Sequence, residues 1–545
     1  MCTLCVRGKP QFHSTSRRGF LKGTAATGLA AGAMGLFGSS ARAQGDSVDP
    51  PPDTGRPGRR YVIRNGYVMT MEPGTRGADS PFGEFIEGDV LVDGRKIAAI
   101  GKNLNAGNAT EIDARGKVVM PGFIDTHHHQ AWTAIRSAIP DSILINDGTG
   151  TASAEQNYFA NVLAGPDPKN PTGFARHYRA EDVYISELFG GLSQLDAGVT
   201  TVLDISQIHH SPQHSDAVIN ALRNTGRRAM LGYFESAGNV EGNQYPKDAK
   251  RLAGILRSDD LVGFVMGGEV YLGEPTYSEA WRIGRELHVQ IAAHILSPFG
   301  IRPILDDLAA GTGGVNNDIG LGPDNLLIHM TGMSDAGWNG VKKRGAQVSI
   351  AFPIEMNMRH GIPPIVKMQQ LGLEPSLSTD VETNMTADFF TQMRSAMTMQ
   401  RMVINQAVLN TGDFVTFPAG TWPPFPEDLP PLLNARDVLR FATINGAKHL
   451  RLDNKTGSLK VGKEADIIIL DGTQLNVFPM NNVPGAVVTM MERSNVETVI
   501  VAGKVRKWNG RLLDVNLDSL RTQLAATRDF LYTKAGVPQN PFPAK

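Results

Sequence analysis

The sequence predicts an α/β protein: a (β/α)8 TIM barrel joined to a small β-sandwich built from both ends of the chain. Three observations carry that expectation. Through the middle of the chain, short apolar runs alternate with helix-like stretches, and eight of these runs have the length of strands. Strand-rich segments punctuated by turns flank this middle on both sides. Several of the middle runs end on a histidine or an aspartate, at the end of the strand where such barrels display their active sites.

The 545 residues suffice for one large domain and a smaller one. With 41% hydrophobic and 20% charged residues and a formal charge of −1, the chain gives no reason to expect nucleic acid or an anionic membrane as a partner. The charge is uneven. Residues 1–43 hold Arg7, Lys9, Arg17, Arg18, Lys22 and Arg42 and no acid, so removing these six cations takes the formal charge from −1 to −7.

That stretch also holds the chain's two cysteines, Cys2 and Cys5. Such a Cys-x-x-Cys pair binds zinc only with further ligands, and His13 alone is near. Ser16-Arg17-Arg18-Gly19-Phe20-Leu21-Lys22 precedes an uncharged run from Gly23 to Ala41 and the small-x-small sequence Ala41-Arg42-Ala43. Basic region, weakly apolar region and cleavage site make an export signal that resembles the bacterial twin-arginine type. A periplasmic or secreted protein is expected. The Gly/Ala-rich run is too weakly apolar to stay as a membrane span, so no stable insertion of the mature protein is expected.

Residues 44–58, with Pro50, Pro51, Pro52 and Pro57, read as a linker. Residues 59–118 read as the first part of the sandwich. Its strands are Tyr61–Arg64 and Tyr67–Thr70, with a hairpin turn at Asn65-Gly66, then Gly88–Val92 and Lys96–Ile100, joined at Asp93-Gly94. Residues 119–452 form the barrel. Its strands are expected at Val118–Asp125, Val199–Asp204, Ala229–Phe234, Leu261–Met266, Val289–His294, Leu326–Met330, Gln347–Ala351 and Ser376–Asp380. The polar, Gly/Pro-rich interruption from Pro140 to Arg179 follows the first of these and reads as a lid over the barrel mouth. Residues 453–512, with runs at Ala465–Leu470 and Val496–Val501, complete the sandwich, and 513–545 read as a helical tail.

Chemistry concentrates at Pro121-Gly122-Phe123-Ile124-Asp125-Thr126-His127-His128-His129. Alternate side chains of a strand face the same way, so His127 and His129 converge while His128 points elsewhere. Imidazole suits zinc, iron and other first-row metals. His294, His329 and Asp380 each close a different apolar run, and satisfied core histidines explain so many coincident strand ends poorly.

With these residues in place, the chain resembles the amidohydrolase superfamily, nearest its cytosine deaminase and chlorohydrolase branch. The resemblance rests on Pro121–His129, His294, Ile328-His329 and Ser378-Thr379-Asp380, with Ala442–Ala447 and Gly457–Asp466. It spans about Tyr61 to Leu512. It implies one divalent metal, zinc or alternatively iron, held by His127, His129, His294 and a more distant Asp380. It further implies a metal-activated hydroxide whose proton Asp380 accepts as general base, while His329 positions the attack. Dinuclear members use a lysine or glutamate at the end of strand four. Val262–Glu269 offers no lysine and Glu269 lies past the expected strand end, so one metal is implied.

One departure matters. Deaminases of this branch often carry His-x-x-Glu, whereas His294-Ile295-Leu296-Ser297 puts a serine there, and a hydroxyl cannot do a carboxylate's acid–base work. Glu269, Glu382 or a histidine of the His209-His210-Ser211-Pro212-Gln213-His214 segment are the candidates to replace it. His210 and His214, with Gln130 and Trp132 just past the metal motif, are candidate substrate contacts; Met356 and Asn357 are weaker ones.

The function these implications favour is hydrolysis of a non-peptide carbon–nitrogen bond in a small cyclic or aromatic substrate, by deamination or dechlorination or by amide or carbamate cleavage. The missing glutamate weights the expectation toward amide or carbamate cleavage and leaving groups other than ammonia. Ester or lactone hydrolysis at the same site is the enzymatic alternative. An exported metal- or ligand-binding protein on a degenerate barrel is the non-enzymatic one. Assembly into a homo-oligomer is left open by the sequence.

Overall fold

The computed structural model describes residues 49–163, 173–238, 240–411 and 425–542. The twin-arginine motif, Cys2, Cys5 and residues 44–48 of the expected linker lie outside them. Five strands come first: β1 (Arg60–Met69), β2 (Glu84–Asp93), β3 (Lys96–Gly101), β4 (Thr110–Asp113) and β5 (Lys117–Pro121). Eight follow through the middle: β6 (Phe123–His128), β7 (Val199–Ser206), β8 (Arg228–Tyr233), β9 (Val262–Gly267), β10 (Gln290–Leu296), β11 (Asn325–Thr331), β12 (Gln347–Ile350) and β13 (Ser376–Leu377). The last four are β14 (Ile467–Asp471), β15 (Val496–Val501), β16 (Lys504–Trp508) and β17 (Arg511–Leu512).

Strands β6 to β13 pair in sequential order, all parallel, and a parallel bridge between His128 and Asp380 joins the last to the first. This is the (β/α)8 barrel. Ile124, Leu203, Phe234, Val265, Ala292 and Ile328 fill its interior below the site. Burial on both faces is why these strands read as unbroken apolar runs rather than as alternating ones.

The run expected as one strand over Val118–Asp125 is two, in different sheets. β5 pairs with β14, opposing Val119 to Ile469, and β6 pairs with β7. The chain switches sheets at Gly122, where a Cβ would stand 2.1 Å from the Thr200 side chain. Apolar periodicity runs through that junction unbroken, so only pairing reveals it.

The two chain ends do share one β-domain with a common core of Ile63, Val90, Val119, Ile467 and Ile500. Its strands hydrogen-bond as a single sheet in the order β17-β16-β15-β14-β5-β1-β2-β3, with β4 on β1, rather than as two separate sheets. The hairpin expected at Asn65-Gly66 is a bulge within β1: the register against β2 slips between Ile63 and Gly66. A Cβ on Gly66 would lie 2.7 Å from Val119, so the residue that suggested a turn serves a close approach. Asp93-Gly94 does join β2 to β3.

Two further segments bear on the site. Of the insertion after β6, Leu144, Tyr158, Phe159 and Leu163 line the pocket at the barrel mouth. The Leu144 amide donates to the Met358 carbonyl at 3.0 Å, tying the insertion to the chain after β12. The terminal helix Leu517–Ala535 is docked: Leu531 is buried, and Thr527 Oγ1 donates to Asp182 at 2.7 Å. Among the described residues no helix is long and apolar enough to cross a membrane.

Candidate active site

The closing bridge of the barrel builds the site. The Asp380 amide donates to the His127 carbonyl at 3.0 Å, and the His129 amide donates to the Asp380 carbonyl at 3.0 Å. The end of β6 is thereby locked to the segment after β13, with the Asp380 carboxylate facing the two imidazoles. Asp380 (φ 60°) and His329 (φ 74°) both take left-handed backbone conformations, a local strain that concentrates at functional positions.

Nε2 of His127 lies 3.0 Å from Nε2 of His129 and 3.1 Å from Nε2 of His294. Asp380 Oδ1 stands 3.6 Å from the first and 3.7 Å from the second. Its Oδ2 is 3.6 Å from Nε2 of His329. Three imidazole nitrogens and a carboxylate oxygen turned toward one point form a donor set suited to a single divalent ion of the zinc or iron kind.

Charge partners behind the ring agree with that reading. Burial, then the neighbouring histidines, push His127 and His129 well below the ordinary histidine range, which keeps them neutral as ligands must be. Burial opposes charge on His294 as well, but the Glu269 carboxylate, 2.5 Å from its Nδ1, outweighs it and raises the pKa. Burial pushes Asp380 up to about 7, with His294 pulling the other way; a bound cation would favour the carboxylate further. His329 gives Nδ1 to Glu355 at 2.9 Å, a contact that fixes its ring. Asp125, within β6, accepts from the Thr379 hydroxyl and from Gln194 at 2.7 Å, bracing both ends of the bridge.

His127, His129, His294, His329 and Asp380 therefore come together as the sequence suggested. The expected substrate contacts do not reach the pocket. Gln130 is fully buried, donates to Glu187 at 3.0 Å and accepts from the buried Arg227. Trp132 is fully buried against Tyr178. His210 binds Ser236 Oγ at 2.7 Å and the Ala175 carbonyl at 2.9 Å, and His214 binds Ser211 Oγ and the Tyr178 carbonyl. These two imidazoles fasten the end of the insertion to the barrel.

Glu382 is spent on Arg136 at 2.7 Å, and Met356 and Asn357 sit outside the pocket lining. Glu269 orients His294. Glu355 and His360 are the residues the sequence reading missed, because neither falls at a strand end.

The pocket above the cluster is walled by Tyr158, Phe159, Tyr271, Phe299 and Met358, with Gln207 and His360 as polar members. Among its described lining residues there is no lysine or arginine, and Asp380 is the only acid.

A parallel eight-stranded barrel with three histidines and an aspartate gathered at strand ends defines a metal-dependent hydrolase. Residues 118–506 match the model of the amidohydrolase family, and the chain belongs to that family. It is similar to 5'-deoxyadenosine deaminase of Methanosarcina acetivorans, with 28% identity covering 87% of this chain and 99% of that protein. The Methanosarcina barkeri protein of the same name is 30% identical over 82% of this chain and 92% of its own length. Among solved structures, an adenosine deaminase from Xanthomonas campestris with bound zinc aligns with a TM-score of 0.70 at 20% identity, over 89% of this chain and all of that one. Atrazine chlorohydrolase from Arthrobacter aurescens TC1 in complex with zinc aligns at 0.66 and 19% identity, over 86% and 100%. The protein is thus an enzyme that hydrolyses carbon–nitrogen bonds other than peptide bonds, and nothing supports the non-enzymatic alternative.

Proposed function

We propose that this protein is a zinc-dependent hydrolase that displaces a substituent, an amino group first among them, from a planar nitrogen heterocycle of the kind its purine-deaminase relatives act on. The observation that carries the reading is the convergence of His127, His129, His294 and Asp380 beneath an aromatic pocket with no lysine or arginine among its described lining residues. Three imidazoles with one carboxylate suit zinc better than the harder oxygen-seeking cations, with iron as the alternative metal.

A divalent ion held there supplies water with a pKa lowered toward neutrality. Asp380 accepts the proton of the attacking water. His329, with Nδ1 committed to Glu355, presents Nε2 as an acceptor 3.6 Å from Asp380, so the proton that Asp380 takes from the water passes through this nitrogen to the departing nitrogen, which leaves as ammonia. The aromatic walls exclude bulk water from the reacting centre.

Ser297 favours a second reading, in which the leaving group needs little protonation, such as chloride. We further propose that the basic stretch 1–43 directs export by the twin-arginine route to the periplasm or beyond.

The test is a panel of 5'-deoxyadenosine, amino- and chloro-azines, amides, carbamates and lactones offered to the zinc-loaded protein, with ammonia and chloride release followed. Ammonia from a ring amine is the expected result. Asp380→Asn is expected to cut turnover by about 100- to 10,000-fold with folding and zinc content retained. Turnover of esters alone, or an Asp380→Asn protein as active as the parent, defeats the proposal.

A further inference from the structure

His360 stands apart from every other histidine described above. It is 4% exposed and lines the pocket, yet neither of its ring nitrogens has a hydrogen-bond partner among the described residues. The large majority of buried side-chain polar atoms have a partner, and His360 is the one histidine among the described residues with both ring nitrogens buried and left open, at a position lining the pocket. The ring meets His329 edge-on, with centroids 4.7 Å apart and planes at 85°.

Its position is held firmly. The His360 amide donates to the Glu355 carbonyl at 3.2 Å, on the residue whose side chain holds His329. Met358 is tied to Leu144 of the insertion, and Arg359 pairs with Asp147 of the same insertion. The backbone that carries the ring is thus tied on both sides, while the ring's polar edge is left unused.

We propose that His360 is a substrate-contacting, specificity-determining residue, hydrogen-bonding the polar edge of an uncharged planar nitrogen heterocycle that lies over the His127, His129, His294 and Asp380 cluster. A neutral imidazole offers one N–H donor and one acceptor on nitrogens that point away from each other, so one of them can pair with a ring nitrogen, an N–H or an amino group on the heterocycle's edge. Burial, with His294 adding to it, pushes its pKa down to about 3, which favours the neutral ring near neutral pH. Phe159, Tyr271 and Phe299 are in mutual ring contact across the pocket, at centroid distances of 6.2, 5.4 and 4.8 Å, and provide faces for a flat aromatic substrate. The absence of lysine and arginine from the described lining argues against an anionic one.

This inference rests on the proposed function, and the experiment separates the two. Zinc-loaded wild type, His360→Phe and His360→Asn are compared on 5'-deoxyadenosine, adenine and an aminotriazine, with His360→Leu replacing His360→Phe if the latter does not fold. His360→Phe is expected to raise KM by about tenfold with kcat within about threefold and zinc content unchanged, and His360→Asn, which restores a donor and an acceptor, to recover part of the loss. Among 1-, 3- and 7-deaza analogues of the purine substrate, one is expected to bind about tenfold more weakly to wild type yet no more weakly still to His360→Phe. A KM within about twofold of wild type in the apolar variant, or deaza losses that simply add to the variant's own, overturns the inference alone. Wild type that converts none of the three compounds overturns the proposed function and the inference with it.

Discussion

Replacing Glu269 by glutamine tests whether the metal site depends on what stands behind it. Glu269 is fully buried, its Oε1 lies 2.5 Å from Nδ1 of His294, and its Oε2 accepts from the His294 amide at 3.2 Å. The carboxylate fixes the tautomer in which Nε2 is free to bind a cation, and its charge makes that nitrogen more basic. Glutamine keeps the shape and one acceptor but removes the charge. A hydrogen bond to a charged group contributes about 1.5–3 kcal/mol against about 1 for a neutral one. The difference, about 0.5–2 kcal/mol, corresponds to zinc binding weakened by about 2- to 30-fold, and comparable partners of metal-bound histidines extend the range to about 100-fold. Competition with a fluorescent zinc chelator near neutral pH measures it. The same experiment separates two roles for Glu269. As a proton shuttle standing in for the missing His-x-x-Glu carboxylate, its loss would depress turnover of fully zinc-loaded enzyme and leave affinity alone. Unchanged zinc affinity would falsify the positioning role.

Two predictions concern the scaffold around the site. Burial pushes His210 down to about 4, with its bond to the Ala175 carbonyl opposing, so the folded chain holds the ring neutral. Its contribution to stability is complete above the unfolded value of 6.5 and is lost as pH falls through about 4, so His210→Asn should flatten the fall of Tm across that window. Parallel melting curves for the two proteins would remove His210 from the account. Arg227 is fully buried and donates to Gln194 at 2.7 Å and to Gln130, with Asp125, Asp204 and Glu187 as the nearby acids. Arg227→Met leaves the Gln194 and Gln130 oxygens without their donor and those acids without a nearby cation, and should cost about 1–3 kcal/mol in denaturant unfolding. A loss below about 1 kcal/mol would show the acids are already protonated in the fold.

The order of the eight barrel strands was legible because burial on both faces makes each parallel strand a compact apolar run, and the barrel pairs them in chain order. What the sequence could not show is partnership. Val118–Asp125 is one apolar run by composition and two strands by hydrogen bonding, since nothing in a side chain's polarity says which neighbour its backbone will join. Asn65-Gly66 carries the same ambiguity. Asparagine and glycine both accept the left-handed backbone of a turn, and the same pair also suits a bulge, where Gly66 is pressed against Val119. In each case local chemistry offered two solutions and packing selected one.

The site divides along the same line. His127, His129, His294, His329 and Asp380 were recognisable because each ends a strand, and a strand end fixes where a side chain points. The residues that tune them do not. Glu269 meets His294 from 25 residues away and Glu355 meets His329 from 26, Glu269 just after β9, the neighbour of β10, and Glu355 in the short helix Phe352–Asn357 after β12, the neighbour of β11. That spacing is the length of one β/α unit, so a carboxylate one unit before or after a strand-end histidine lies on the loop beside it. The histidine-rich segment after β7 misled for the complementary reason. It occupies a loop on the correct face, but the carbonyls of Ala175 and Tyr178 and the hydroxyls of Ser236 and Ser211 claim the imidazoles before any substrate can. His360 inverts that case: one imidazole after β12, unremarkable in sequence, is made conspicuous by the lack of any such claim on it.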